Sequence, residues 1–413
     1  MLTLLLAPSA SAFCGTYLGP AGSSFENGTS QVVIARDGTE TTLTLAVDVQ
    51  GDVADFALVI PVPEVLDDAD VSLPDGQLFA DLDAYSAPRE VAYTCGDLGG
   101  DSGAMDMASA ADSGGASPVE EDATGVTVEA SFAEGSYEFV VLSATGGDGL
   151  VTWLTDNGYT MPDATAPILQ EYIDAGQYFL GAKVALGAVP STVATLEPIQ
   201  LRYTSEAWTL PIRIGTTVSP GEQDVVIYAL TPADAGRVSI SNFPEATVVD
   251  ECMLAEGEDA GEHYEAEMKR AFEGDNLWIT EYAWWTQGCD PCSTQPPTGE
   301  ILASAGATWE SAEDTGYWGT STFITRLRLR YTPAEATQDV QLYASGITET
   351  DQIRYIQYLD MNECSPNAEA PGPLCAEEPD DEGCSGCATG PAAPAALALF
   401  ATLVLARRNA LRS

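Results

Sequence analysis

Apolar and polar residues alternate along Thr41 to Gln50, with Leu43, Leu45, Val47 and Val49 on one side and Thr42, Thr44 and Asp48 on the other. A period of two marks a strand half-buried on a sheet, here with the leucines and valines inward. Gln31 to Ala35 precedes it across Arg36-Asp37-Gly38-Thr39, and an Asp-Gly step between two such runs predicts a hairpin closed by a two-residue turn. Further strands are predicted at Asp55 to Val62, Gly125 to Ala133, Tyr137 to Ser143, Tyr178 to Leu186, Ile199 to Tyr203, Leu210 to Ile214, Asp224 to Leu230, Arg237 to Ile240, Leu277 to Trp285, Phe323 to Tyr331 and Val340 to Ala344. Helical spacing is rarer. Leu78 to Tyr85 is one short candidate, and Gly149 to Asp156 with Ala164 to Ala175 form a pair in which Trp153, Leu154, Ile168, Leu169, Tyr172 and Ile173 share an apolar face. Glu258 to Phe272 is a strongly polar helix. Many strands, intermittent helices and no regular strand–helix alternation predict a mainly β (α+β) fold: antiparallel, sandwich-like sheets with a few inserted helices.

The periodic pattern stops in three places. Asp97 to Asp122 is rich in Gly, Ser, Ala and Asp, and a stretch with so little apolar surface cannot offset the entropy of ordering it, so residues 97–122 are expected to be a disordered loop inside the domain. Residues 361–383 are an acidic, Pro-rich linker. The tail, 384–413, places Cys384 and Cys387 before an apolar run from Pro391 to Ala406 and closes on Arg407, Arg408 and Arg412. This is the form of a C-terminal sorting and anchoring segment, a membrane-spanning helix whose arginines stay on the cytoplasmic side. At the other end, Leu2 to Ala7 followed by Ala10-Ser11-Ala12 reads as a signal peptide over 1–12, with Phe13 the first mature residue. Its basic flank is missing, so the signal is expected to be truncated at its N-terminus. Residues 13–360 between these ends form one β-rich domain, with two subdomains left open. The chain is thus expected to be exported and held at the cell surface or outer envelope, its partner the envelope itself.

Charge narrows the partners. Lys plus Arg number 15 against 63 Asp plus Glu, a net charge of -48, which excludes nucleic acid and an anionic membrane surface as ligands because both need a cationic footprint. The same surplus favours divalent cations, and calcium is the one cofactor it leaves open. Asp67-Asp68-Ala69-Asp70 and Asp97 to Asp106 gather hard oxygen ligands, but neither has the spaced Asp pattern with a closing Glu, and a solvated loop is the plainer reading.

Nine cysteines in an exported chain imply disulfides. Setting aside Cys384 and Cys387 leaves Cys14, Cys95, Cys252, Cys289, Cys292, Cys364 and Cys375. Cys364 and Cys375 are near enough in sequence to close a small loop, Cys14 with Cys95 would tie the N-terminal strand to the chain beyond the first helix, and Cys252 is matched with the Cys289/Cys292 pair. Cys289-Asp290-Pro291-Cys292 also has redox and zinc readings. It leads into Ser293-Thr294-Gln295-Pro296-Pro297, which starts no helix, so a loop disulfide is expected. Catalysis finds little purchase: the single histidine, His263, lies among Glu258, Asp259, Glu262, Glu265 and Glu267 and reads as a solvated, dispensable surface residue. Trp278, Tyr282 and Trp284 share a parity on one strand and are expected in the core, while Trp285 faces the other way.

Several motifs together carry a resemblance. They are Phe13-Cys14-Gly15-Thr16-Tyr17, Asn27 to Val33, Asp55 to Pro63, Trp153-Leu154 with Asn157-Gly158-Tyr159, Ile173 to Phe179, Leu210-Pro211-Ile212-Arg213 and Gly288-Cys289-Asp290-Pro291-Cys292. In this order the chain resembles a family of secreted bacterial proteins catalogued as domain of unknown function 2330, from about Phe13 to Ala344. Gly383-Cys384 before the apolar run and Arg407-Arg408 are similar to the myxobacterial C-terminal sorting signal, which implies processing or modification at Cys384. The resemblance implies an address and an architecture and brings no activity. The expectation is a non-enzymatic, surface-anchored protein with a structural or binding role. Two alternatives stay open: a cell-surface hydrolase using paired carboxylates, and a thiol-disulfide protein working through Cys289 and Cys292.

Overall fold

A computed structural model of the chain describes residues 16–18, 30–46, 57–92, 124–157, 165–184, 196–217, 221–274, 277–288, 295–358 and 374–375. The chain divides into a unit Met1–Cys375 and a unit Ala376–Ser413, the second lying outside the described residues.

Five strands form one antiparallel sheet in the spatial order β1 (Thr16–Leu18), β4 (Ala57–Val62), β9 (Tyr178–Val184), β8 (Tyr137–Ala144) and β7 (Val126–Glu134). Eight form a second: β18 (Asp351–Gln352), β15 (Trp278–Trp285), β16 (Thr322–Tyr331), β12 (Gln223–Pro232), β2 (Ser30–Asp37), β3 (Glu40–Leu45), β10 (Ile199–Thr204) and β5 (Val71–Ser72). It is antiparallel apart from the β12–β2 pair. Two three-stranded ribbons complete the set. One is β11 (Thr209–Leu210), β17 (Val340–Ala344) and β13 (Val238–Ile240); the other is β14 (Glu251–Met253), β19 (Arg354–Ile356) and β6 (Arg89–Val91), parallel throughout.

The two large sheets pack face to face. Alternate residues Val32, Ile34, Leu43, Leu45, Ile227, Leu327 and Leu329 of the eight-stranded sheet meet Leu58, Ile60, Phe139, Val141 and Leu180 of the five-stranded one. Each such side chain, fully withdrawn from water, contributes about 1.5–3 kcal/mol. The outer faces are covered as well. Helices α2 (Gly147–Asp156) and α3 (Thr165–Asp174) lay Leu150, Leu154, Leu169 and Tyr172 on Val59, Val126, Leu142 and Phe179 of the five-stranded sheet. On the eight-stranded sheet sit α1 (Gln77–Ser86) and α5 (Gly299–Ser304), whose Leu78, Phe79, Leu82, Tyr85 and Leu302 meet Val33, Tyr228 and Tyr282. Beside them α4 (Ala260–Ala271) puts Met268 and Ala271 on Ile279, Ile353 and Tyr355. The sandwich therefore has helices on both sides.

That cover changes several expectations. Thr42 and Thr44, expected to face water, are buried, and Thr44 Oγ1 accepts a hydrogen bond from Gln200 Nε2 at 2.8 Å. The hairpin turn is Gly38-Thr39, one residue later than Asp37-Gly38: Asp37 pairs with Glu40, and Gly38 supplies the positive φ of 56° that the first turn position requires. Of the strand expected over Leu210 to Ile214, only Leu210 lies in one, at the end of β11. Pro211 has no N–H to give a ladder, the Ile212 and Arg213 N–H groups donate instead to Asp339 Oδ1 at 2.9 and 3.0 Å, and a 3₁₀ turn follows at Ile214–Thr217. A register shift between Thr280 and Tyr282 makes Glu281 the extra residue of a β-bulge. Trp278 consequently packs in the inter-sheet core and Tyr282 on the helix-covered face, so these two do not share a side as their spacing predicts. Residues 1–12, 97–122 and 384–413 lie outside the described residues. Among the described residues no helix is long and apolar enough to cross a membrane. In the expected linker, Leu374 bridges to Met253 and the Cys375 N–H donates to the Met253 carbonyl at 2.8 Å, so these two residues lie on the folded unit and not in a free spacer.

Candidate functional site

Strand β16 reads Thr-Phe-Ile-Thr-Arg-Leu-Arg-Leu-Arg-Tyr. With a period of two, Leu327 and Leu329 enter the inter-sheet core while Arg326, Arg328 and Arg330 line up on the opposite face, beneath α1 and α4. Three of the chain's 15 cations are thus set in one row under a helical cover. A charge withdrawn from water needs a partner, and each arginine has one. Arg326, 8% exposed, donates through Nε to Glu281 at 2.5 Å and through Nη1 to Asp83 of α1 at 2.6 Å. Arg328 donates to Asp224 from both Nε and Nη2, at 3.0 and 2.8 Å, and to the Tyr264 hydroxyl of α4 at 2.8 Å. Arg330 Nη2 reaches the same Asp224 at 2.8 Å.

Glu281 is the keystone of the row. Its side chain is fully buried and accepts from Arg326 and from the Tyr264 hydroxyl. The bulge turns both Glu281 and Tyr282 toward the helical cover. Aromatic faces complete the lining: Tyr228 lies 5.3 Å from the Arg326 guanidinium, Tyr264 5.8 Å from Arg328 and Phe272 4.9 Å from Arg330.

The protonation states follow from these contacts. Burial alone would depress the Arg326 and Arg328 guanidiniums, but the carboxylates and tyrosines around them hold both above the ordinary arginine value. Burial would raise Asp224, and the hydrogen bonds and charges of Arg328 and Arg330 outweigh it and hold the carboxyl below its usual range. Tyr228 and Tyr264 are pushed far up, chiefly by burial, and remain neutral donors. The row is a set of charges that pair with one another, with Arg330 Nε the one buried donor among its guanidiniums that lacks a hydrogen-bond acceptor, Glu222 lying 3.6 Å away.

At one end of this face, against the parallel ribbon, the structure brings together three residues the sequence kept apart. Cys252 of β14 and Cys375 form a disulfide across a sequence separation of 123, with Cα atoms 4.8 Å apart. His263, in the first turn of α4, points at them: its Nε2 is 3.8 Å from Cys252 Sγ, and its Nδ1–H donates to Glu258 at 2.7 Å. The Asp259 carboxylate caps the helix by accepting from the Glu262 N–H at 3.0 Å, which fixes where this first turn begins. His263 also meets the Tyr355 ring edge to face at 4.8 Å and is only 10% exposed. It is therefore no solvated surface residue. The acidic side chains at Glu262 and Glu265 are exposed, whereas position 263 turns toward the ribbon. Glu258, which burial would raise, is held below the usual carboxylate range by hydrogen bonds from the Ala255 N–H and from His263. The pairing also corrects two expectations: Cys375 is not bonded to Cys364, nor Cys252 to Cys289 or Cys292. Parallel strands β14 and β19 put Cys252 at the sheet edge that Cys375 joins as a further bridge. Proximity in sequence says nothing of that edge.

Cys14, Cys95, Cys289, Cys292, Cys364, Cys384 and Cys387 lie outside the described residues, as does Asp97 to Asp106. In Asp67 to Asp70 the carboxylates serve the turn itself: Asp67 Oδ1 accepts from the Ala69 N–H at 2.8 Å and Asp70 Oδ2 from the Asp67 N–H at 3.0 Å. Trp284 packs against the core beneath the helices while Trp285 is exposed. A cleft of about 530 Å³ opens beside the first hairpin, lined by Arg36, Trp208, Glu206 and Asp234 among others. Its guanidinium is already engaged by Gly38, Thr41 and Ser205, at 2.7, 2.6 and 2.7 Å. The arginine row is what sequence reasoning missed. Its signal was present: an Arg-Leu-Arg-Leu-Arg alternation in a chain so poor in cations.

Comparison with known proteins finds no match among curated proteins. A solved structure, a mutated baculovirus P35 after caspase cleavage, aligns with 79% of this chain and 100% of its own at 9% identity and a TM-score of 0.24, too distant to carry an argument. Residues 8–343 match the family described as uncharacterized protein conserved in bacteria (DUF2330), and the chain belongs to that family.

Proposed function

We propose that this is an exported protein anchored at the cell surface, a β-rich envelope component with a structural or binding role. The observation that carries the reading is the Cys252–Cys375 disulfide. Such bonds persist in oxidising compartments and are rare in the cytosol, and one that closes a loop this long contributes about 2–5 kcal/mol. An exported address also suits the leader over 1–12 and the tail with Cys384, the apolar run and Arg407-Arg408. The structural role is supported by the arginine row, whose members meet carboxylates and tyrosines of the same chain. Glu281 and Asp83 both bind Arg326, so the hydrolase reading gains no support from this pair of carboxylates. The net charge of -48 argues against nucleic acid as a partner.

Truncation after Glu382 tests the address. Fractionated cells should release the shortened protein into the medium and retain the full chain. Equal retention of both would overturn the anchoring.

A further inference from the structure

A disulfide with a histidine at one sulfur and a carboxylate behind that histidine is an arrangement for exchange. Both cysteines are buried, Cys252 at 1% exposure and Cys375 at 9%, and Cys375 lies at the sheet edge next to Leu374, which is 63% exposed. Of the two, Cys375 is the nearer to solvent and is the sulfur an incoming thiol attacks, so Cys252 is the sulfur that must leave. That sulfur is the one His263 faces, at 3.8 Å from Nε2. The carboxylate of Glu258 at Nδ1 fixes that nitrogen as a donor and leaves Nε2 turned to the sulfur, the orientation in which an imidazole serves a thiol.

We infer that Cys252–Cys375 is a thiol–disulfide exchange site whose reductant is a dithiol, with His263 the proton donor to the leaving sulfur and Glu258 the residue that positions it. A thiolate of the dithiol attacks Cys375 Sγ, and a new sulfur–sulfur bond forms as the old one breaks. The electron pair of the old bond leaves on Cys252 Sγ, which takes a proton from His263 Nε2, and the proton that the attacking thiol gave up to solvent replaces it there. The second thiol of the reductant, having lost its proton to solvent, attacks the mixed disulfide. Cys375 departs as a thiolate and is protonated by solvent, and the reductant leaves as its own disulfide. Two electrons and two protons have passed from the dithiol to the pair. This site is separate from Cys289 and Cys292, and it needs no assumption about the chain's anchoring.

The test uses the full chain with dithiothreitol at pH 7, quenched over time and read by differential alkylation and mass spectrometry at the Cys252 and Cys375 peptides. The remaining cysteines of the same molecule serve as reference. His263→Gln should slow reduction of this pair by about ten-fold or more, in the range that proton donation supplies, and Glu258→Gln should slow it in the same direction by less. A purely structural role predicts the opposite sign, because a loosened corner is reduced faster. Rates that are unchanged or faster in folded His263→Gln overturn the inference. Should that variant fail to fold, Glu258→Gln decides alone: slower reduction upholds the proposal, and equal or faster reduction rejects it.

Discussion

The two outer faces of the sandwich are covered by helices in opposite ways. On the five-stranded sheet, α2 and α3 bring Leu150, Leu154, Leu169 and Tyr172 to an apolar surface. On the eight-stranded sheet, α1 and α4 bring Asp83 and Tyr264 to a row of arginines. Apolar contact is non-directional, so the first cover depends on volume and tolerates change of shape. The second depends on register. A shift of β16 by one residue would carry Arg326, Arg328 and Arg330 into the inter-sheet core, among apolar side chains such as Ile60, Phe139 and Val141. The charged face thus specifies which alignment of strands is correct, and the apolar face supplies burial.

Replacement of one side chain from each face should separate them most. Arg326→Met leaves buried Glu281 with only the more distant cation of Arg328, at 3.8 Å, and should cost about 3–5 kcal/mol in urea unfolding. Leu169→Met, also a change to a flexible apolar chain, should cost less than about 1.5 kcal/mol. Equal costs would erase the distinction. Next in size is the staple beside the charged face: Cys252→Ser with Cys375→Ser should lose about 2–5 kcal/mol, measured under non-reducing conditions. His263→Gln should follow at about 1–2 kcal/mol, through the lost hydrogen bond to Glu258 and the Tyr355 contact.

Acid should act on the two faces with opposite signs. Asp224, on the charged side, has a depressed folded pKa, so its contribution is present above the unfolded value of about 3.9 and is lost as pH falls below it. Asp339, which accepts from Tyr172 of α3, has a folded pKa raised by burial in excess of its hydrogen bonds. The folded state then holds the proton more readily, and this group costs stability as pH rises through the same region and above. Urea midpoints from pH 3 to 6 should show Asp224→Asn removing part of the acid lability and Asp339→Asn increasing it. The same sign for both would contradict these assignments.

The sequence reveals the period-two runs well, because covered strands keep their inward leucines and valines whatever lies outside. Less legible is whatever depends on the second cover. Thr42 and Thr44 look solvent-facing until helices and loops close over them. The bulge at Glu281 is one added residue, which an unbroken Trp-Ile-Thr-Glu-Tyr-Ala-Trp-Trp string does not mark, yet it moves Tyr282 to the other face from Trp278. His263 sits in a run of acids and looks exposed, because a helix with a polar sequence can still turn one residue of its first turn inward. Cys252 and Cys375 meet only through a parallel ribbon, whose strands of three residues are too short for periodicity to register.

The mutual pairing of charges in the arginine row is the central claim, and a double-mutant cycle on Arg326 and Glu281 tests it most directly. Arg326→Met and Glu281→Leu should each destabilise strongly alone, because the first takes from fully buried Glu281 its nearer cation and the second leaves buried Arg326 only the carboxylate of Asp83. Together they should cost much less than their sum, with a coupling of about 2 kcal/mol or more. Additivity to within about 0.5 kcal/mol would mean that the two charges do not depend on each other, and that the row is not the network of paired charges described here.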